Sequence, residues 1–270
     1  RFRNVTGVQT CALPILEWVL KMAAGDEDLA RLIPFVVVAL CWWKRKILIE
    51  VPKRPWWPAL FLLAAALGCH VIGFLIQQPQ ISAVAFFLGI FALMGLTWGY
   101  RWLSASFFPF FLFAFCVPTK NVIEFVTFPL RMLATRITSV LCDTVLGIRV
   151  IQDGTRIFDS LGRYQYEVAA ACSGIRSLTA TLVLALIYAF VALRSPWRRA
   201  IMICAAVPLA ILANVARLST IIVAAETFGQ EAGNYVHESS WFSLMPYIPA
   251  IAGILLLGRW LRETPEKGPA

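Results

Sequence analysis

Charged residues are scarce in this chain. Asp, Glu, Lys and Arg supply 14% of its 270 residues, against about 25% in soluble domains. A large soluble domain is excluded. Histidine occurs only as His70 and His237. The seven cysteines are Cys11, Cys41, Cys69, Cys116, Cys142, Cys172 and Cys204, and no two form a Cys-x-x-Cys pair. That excludes zinc-type Cys/His spacing and thioredoxin-like redox motifs, and neither a metal nor a cofactor is expected. The chain also lacks internal repeats and low-complexity tracts, which excludes solenoid architectures.

What is present is apolar. Hydrophobic residues make up 60% of the chain, where soluble proteins carry about 45–50%. The expected fold is an all-α polytopic membrane protein with about seven transmembrane helices, an interfacial amphipathic helix and a small outer-face β-hairpin element. The net charge is +9, from 24 Lys and Arg against 15 Asp and Glu. Basic residues of membrane proteins gather in cytoplasmic loops, so this excess points to membrane topology and not to nucleic acid. The ten Trp suit anchoring at the membrane interface.

Residues 1–15, RFRNVTGVQTCALPI, start without Met and resemble a translated adapter scar. They are set aside with Cys11, and a native N-terminus with a further helix is expected to be missing. Residues 16–262 are expected to form one transmembrane domain carrying an inserted outer-face segment at about 118–172. Residues 263–270 are read as a cytoplasmic tail.

Seven apolar segments run over about 29–43, 57–76, 81–99, 102–117, 173–193, 200–225 and 241–258. Each is near the ~20 residues that a transmembrane helix needs. Between the fourth and fifth, Arg131, Arg136 and Asp143 interrupt apolar residues at helical spacing, which predicts an amphipathic helix over 121–147 lying in the interface. Strands flanking Asp153-Gly154 predict a hairpin, with a third strand ending near Val168. Residues 226–240 read as a polar loop.

Basic clusters follow the odd-numbered segments: Lys44 to Lys46 with Lys53 and Arg54, then Arg101, then Arg194 to Arg199, then Arg259 and Arg262. The positive-inside rule makes that side cytoplasmic. The stretch 118–172 and the loop 226–240 then share the outer, periplasmic face of an inner membrane.

Three chemically reactive residues converge on that face. Cys172 opens the fifth segment, where a helix N-terminus favours a thiolate. Ser173 and Gly174 follow it, and Gly174 keeps the backbone approachable. Arg217 lies about eight residues, ~12 Å, below the outer end of the sixth segment. A guanidinium inside a membrane costs about 2.5–3.5 kcal/mol on insertion scales and is usually functional. His237 stands in the following loop as a natural acid or base. Asn214, one turn before Arg217, shares its face, and Glu238 is placed to orient His237. Arg176, one turn deeper than Cys172, competes with Arg217 as partner of the thiol.

Each residue also has a plainer role open to it. Cys172 can be a small buried residue or a disulfide partner of Cys116 or Cys142. Arg217 can snorkel outward or pair with Glu226. His70 suits a helix–helix hydrogen bond. The remaining cysteines fall in apolar or amphipathic stretches and read as small hydrophobes.

The block Glu167-Val168, Ala171 to Leu178 (ACSGIRSL), then Asn214-Val-Ala-Arg217-Leu218, then His237 resembles the exosortase/archaeosortase family, over roughly residues 29–262. The Cys, Arg and His follow the family's order and spacing. A Gly that often follows the His is replaced here by Glu238-Ser-Ser-Trp-Phe242. The resemblance implies a membrane-embedded cysteine protease or transpeptidase of PEP-CTERM-type protein sorting. Its implied partners are exported proteins with a C-terminal motif, helix and basic tail, together with membrane lipids and an acceptor nucleophile of unknown identity. The catalytic set implied is Cys172, Arg217 and His237, supported by Ser173, Gly174, Arg176, Asn214 and Glu238. The competing reading is a non-enzymatic transporter or exopolysaccharide-export subunit with Arg217 in an anion path. No paired broken helices or inverted halves favour it.

Overall fold

The computed structural model describes residues 28–117, 120–160, 162–167, 175–239, 242, 244 and 247–262. The chain divides into two compact units, one reaching Thr119 and the other beginning at Lys120.

The first unit holds α1 (Asp28–Trp43), α2 (Arg45–Glu50), α3 (Ala59–Leu75), α4 (Pro79–Trp98) and α5 (Tyr100–Phe111), which tightens into a 3-10 turn over Leu112–Cys116. Pro34 lies within α1 without ending it. The short helix α2 begins within the basic cluster that follows the first apolar segment. The pair α3–α4 packs through small residues. A Cβ on Gly73 would meet Ser82 Oγ at 2.9 Å, and one on Gly95 would meet Ala59 Cβ at 3.1 Å. Small residues let helices approach closely where apolar surroundings give no hydrophobic drive to association.

The second unit holds α6 (Lys120–Leu141), a π turn (Cys142–Leu146), strands β1 (Val150–Asp153), β2 (Arg156–Asp159) and β3 (Gln165–Glu167), then α7 (Ile175–Ala192), α8 (Pro196–Phe228), α9 (Gln230–Glu238) and α10 (Tyr247–Leu261). Helix α8 is the hub, packing on α6, α7, α9 and α10. Its 33 residues extend for about 50 Å at 1.5 Å per residue, well beyond a hydrocarbon core of about 30 Å. One part of it joins Ala185 and Ala189 of α7, Leu193 just beyond that helix and Ile254 of α10 in an apolar cluster around Met202 and Ala206. Nearer its C-terminus, Ile221, Ile222 and Ala225 join a second cluster with Cys142, Ile157, Tyr164, Tyr166 and Val236. The sheet is antiparallel in the order β1-β2-β3. Asp153 pairs with Arg156, so Gly154 and Thr155 form the hairpin loop, one residue later than the Asp-Gly signal suggests.

Among the described residues, each of the seven apolar segments is mainly helical. Two helices among the described residues, α4 and α8, are both long and apolar enough to cross a membrane, and five shorter stretches are apolar helices of 10–17 residues.

Of the three charges that marked the amphipathic helix, Arg131 is buried while Arg136 and Asp143 are exposed, and a row of threonines of α6 points inward. Thr127, Arg131, Thr135 and Thr138 are buried, while Phe128, Leu133, Ile137 and Val140 are exposed. The threonines return hydrogen bonds to their own helix: Thr135 to the Arg131 carbonyl at 2.8 Å and Thr138 to that of Ala134 at 2.9 Å.

One expectation is corrected. Residues 230–238 are not loop but the helix α9. Gly229, at φ +90°, ends α8 and serves as N-cap of α9; that left-handed backbone suits glycine. His237 therefore sits in the last turn of a helix.

Candidate active site

Arg217 projects from α8 and is 6% exposed; Asn214, one turn earlier, is 4% exposed. The Arg217 guanidinium donates through Nη2 to the backbone carbonyl of His237 at 3.2 Å. This bond joins the middle of the long helix to the C-terminal turn of α9, where helix carbonyls lack intrahelical partners. The negative end of a helix dipole also favours a nearby cation. Pairing of Arg217 with Glu226 does not occur. The two lie nine residues apart on one helix, about 13 Å along its axis, and Glu226 is held by the sheet instead.

The sheet fixes both helices. Arg163 donates through Nη2 to Glu226 Oε1 at 2.8 Å and Oε2 at 3.0 Å, and through Nε to Asp159. The Tyr164 hydroxyl donates to Glu226 Oε2 at 3.1 Å. The Tyr166 hydroxyl donates to the Gln230 carbonyl at 3.2 Å. The Tyr166 ring lies over the His237 imidazole, with centroids 6.3 Å apart and planes 25° apart. Gly233 makes room for this, since a Cβ there would fall 2.0 Å from the Tyr166 hydroxyl. Burial raises the Tyr164 pKa, and its bond to anionic Glu226 raises it further. Burial also raises that of Tyr166. Both phenols are thus held as neutral donors.

Cys172, Ser173 and Gly174, together with the side chains of Arg176 and Glu238, lie outside the described residues. Helix α7 is described from Ile175, three positions after Cys172. Cys142 is a free thiol, fully buried in the cluster beneath the sheet. Among the described residues no group of three or more His, Cys, Asp or Glu is placed to hold a metal ion.

Two neighbours of the site were not assigned roles from sequence. Tyr166 was legible only as one of two aromatics, with Tyr164, on the same face of a strand. Arg131 was visible as a charge in an apolar helix. It lines a cleft with Thr127, Leu178, Ala210 and Asn214, so it shares Asn214 with the face that carries Arg217.

These features define a mostly helical, membrane-associated protein with a small three-stranded sheet clasped to its longest helix. The family model described as Transmembrane exosortase (Exosortase_EpsH) matches residues 23–248. The chain belongs to the exosortase/archaeosortase family. No curated protein and no solved structure gives a significant match.

Proposed function

We propose that the chain is a membrane-embedded cysteine endopeptidase or transpeptidase that cleaves a C-terminal sorting signal of exported proteins. In this reading residues 16–262 are one membrane domain, all seven apolar helices span the inner membrane, and residues 263–270 are a cytoplasmic tail. The site faces the periplasm. Family membership supports a sorting-signal-cleaving enzyme; the observation that carries the mechanism is the bond from Arg217 to the His237 carbonyl.

The Cys172 thiolate attacks the scissile carbonyl carbon, and the carbonyl oxygen becomes a tetrahedral oxyanion. A guanidinium has five N–H donors in a rigid fork, enough to hold the His237 carbonyl and the oxyanion together. In a low-dielectric site one such donor is worth about 3–4 kcal/mol to the transition state. The imidazole of His237 gives its proton to the leaving amine as the C–N bond breaks, leaving a Cys172 thioester. It then takes a proton from the acceptor nucleophile, or from water, which releases the thiol. Ser173 and Gly174 shape the backbone around the thiol, Arg176 adds positive charge one turn deeper, Asn214 orients Arg217 and Glu238 orients His237. The substrate's own helix docks among small residues of the bundle.

The test is cleavage of a membrane-anchored reporter carrying the cognate signal. Cys172→Ala is expected to insert normally and leave the reporter intact. Normal processing by that variant would end the proposal.

A further inference from the structure

The first unit gathers its positive charge at one end. All its described basic residues except Arg31 fall within 44–54 or at Arg101, with Glu50 as the acidic residue among them. The fold brings three short clusters together there. Helix α2 carries Arg45 and Lys46 and packs on α5. The α2–α3 connection carries Lys53 and Arg54 and folds back onto the junction of α4 and α5. The Trp56 amide donates to the Gly95 carbonyl at 3.2 Å, and the Trp56 ring meets that of Tyr100 with centroids 5.4 Å apart. Gly99, at φ +89°, has no Cβ to strike the Arg54 carbonyl, and Arg101 follows two positions later. Lys46, Lys53, Arg54 and Arg101 are exposed, and none pairs with a carboxylate among the described residues. Exposed apolar side chains accompany them: Ile49 and Trp57 are each 72% exposed.

We infer that this end of the first unit binds an anionic phospholipid of the surrounding bilayer, its headgroup phosphate held by Lys53, Arg54 and Arg101. These cations have no carboxylate to neutralise them, and a net-negative headgroup supplies the missing charge. An arginine fork matches phosphate oxygens. A zwitterionic headgroup brings an ammonium as well, which the same cations repel. A soluble phosphate would satisfy the charges but leave Trp57 and Ile49 in water. A phospholipid covers both, because its glycerol and upper acyl chains lie against apolar side chains at the interface. An excess of basic residues alone would set topology and nothing more. What singles out this end is the tied-down backbone at Arg54 and Trp56, which puts cations from separate clusters on one surface. The inference rests on the membrane reading of the chain and not on the peptidase reading.

The test uses the full chain in nanodiscs of phosphatidylcholine doped with a photoreactive lipid, either phosphatidylglycerol or phosphatidylcholine, with the reactive group near the glycerol. Labelled peptides are mapped by mass spectrometry. Phosphatidylglycerol should label residues 42–57 and 100–102 about tenfold more than phosphatidylcholine at equal content, the gain from one to two basic residues near a surface. Lys53→Gln, Arg54→Gln and Arg101→Gln together should remove the preference. Arg194→Gln, Arg259→Gln and Arg262→Gln together, an equal loss of charge in the second unit, should leave it in place. Equal labelling by the two lipids would overturn the inference, as would a preference that survives the first triple variant. Loss of preference in both triple variants would mean diffuse surface charge and would also overturn it. So would displacement of the label by soluble glycerol phosphate at constant ionic strength, which would mark a site for a free phosphate. If the first triple variant fails to insert, the mapped comparison of the two lipids on the unaltered chain decides. Failure of the unaltered chain to enter nanodiscs would overturn the membrane reading and the inference with it.

Discussion

Arg217 of the long helix α8 donates to the main-chain carbonyl of His237 on α9, 3.2 Å away. One proposed catalytic side chain thereby fixes the backbone that presents another. A charge on α8 thus holds the main chain that carries the imidazole. Arg217→Gln should lower the rate of reporter cleavage by about 10²–10³-fold, the cost of one lost oxyanion donor. Arg217→Lys keeps the charge but loses the planar fork, so its rate should fall between the two. Equal rates for all three in a membrane cleavage assay would remove Arg217 from the mechanism.

Tyr166 is expected to act through His237. Tyr166→Phe loses only the hydroxyl bond to the Gln230 carbonyl, so its activity should stay within a few-fold of wild type. Tyr166→Ala removes the ring packed on the imidazole and should destabilise the protein by about 3 kcal/mol, as for other large aromatic truncations. It should also shift the pH–rate profile, which a purely structural loss would leave in place. Gly233→Ala drives a methyl into the Tyr166 hydroxyl and should resemble Tyr166→Ala, with partial relief when Tyr166→Phe is added.

The clasp of the sheet on α8 should fail in alkali. Tyr164 has a raised pKa in the folded protein, first from burial and then from its bond to Glu226. A group raised on folding stabilises fully below its unfolded pKa, about 10 for tyrosine. It loses that contribution as pH climbs through the folded value. Ultraviolet titration should show phenols ionising above pH 10 in wild type, Tyr164 and Tyr166 among them, and one fewer in Tyr164→Phe. Stability should decline over the same range. Titration of every tyrosine at the ordinary value would refute the clasp.

Cysteine accessibility separates the sites. Cys142 is buried, and Cys69 and Cys204 are exposed only along the apolar helices α3 and α8, out of reach of a polar reagent if those faces meet lipid. A membrane-impermeant thiol reagent applied to intact cells should label the wild-type chain and fail to label Cys172→Ala. Labelling only after permeabilisation would invert the topology.

The sequence made the apolar helices easy to place, because a long apolar run between Lys44–Lys46 or Arg194–Arg199 and the next polar break has few other ways to satisfy its backbone. The hairpin was legible from Asp153-Gly154 and the alternation around it. The helix α9 was not, since residues 230–238 are few and polar on average, although they are amphipathic at helical spacing; Gly229 caps the helix and Val236 packs it into the cluster under the sheet. Periodicity marked α6 as amphipathic, but it did not show that Arg131 is buried while Arg136 is exposed. The contact of Tyr166 with His237 is tertiary, and local spacing carries no trace of it. The pairing of Glu226 with Arg163 in place of Arg217 became visible only once the sheet was placed against the end of α8.

The central claim is a Cys172 thioester formed with the help of Arg217 and His237. Wild-type protein in nanodiscs, mixed with a sorting-signal reporter and quenched in acid, should yield a Cys172 peptide carrying the N-terminal reporter fragment in its mass spectrum. Hydroxylamine should remove that fragment, and Arg217→Gln or His237→Ala should sharply reduce it. Reporter cleavage that continues in Cys172→Ala, with no adduct on the wild-type peptide, would contradict the account.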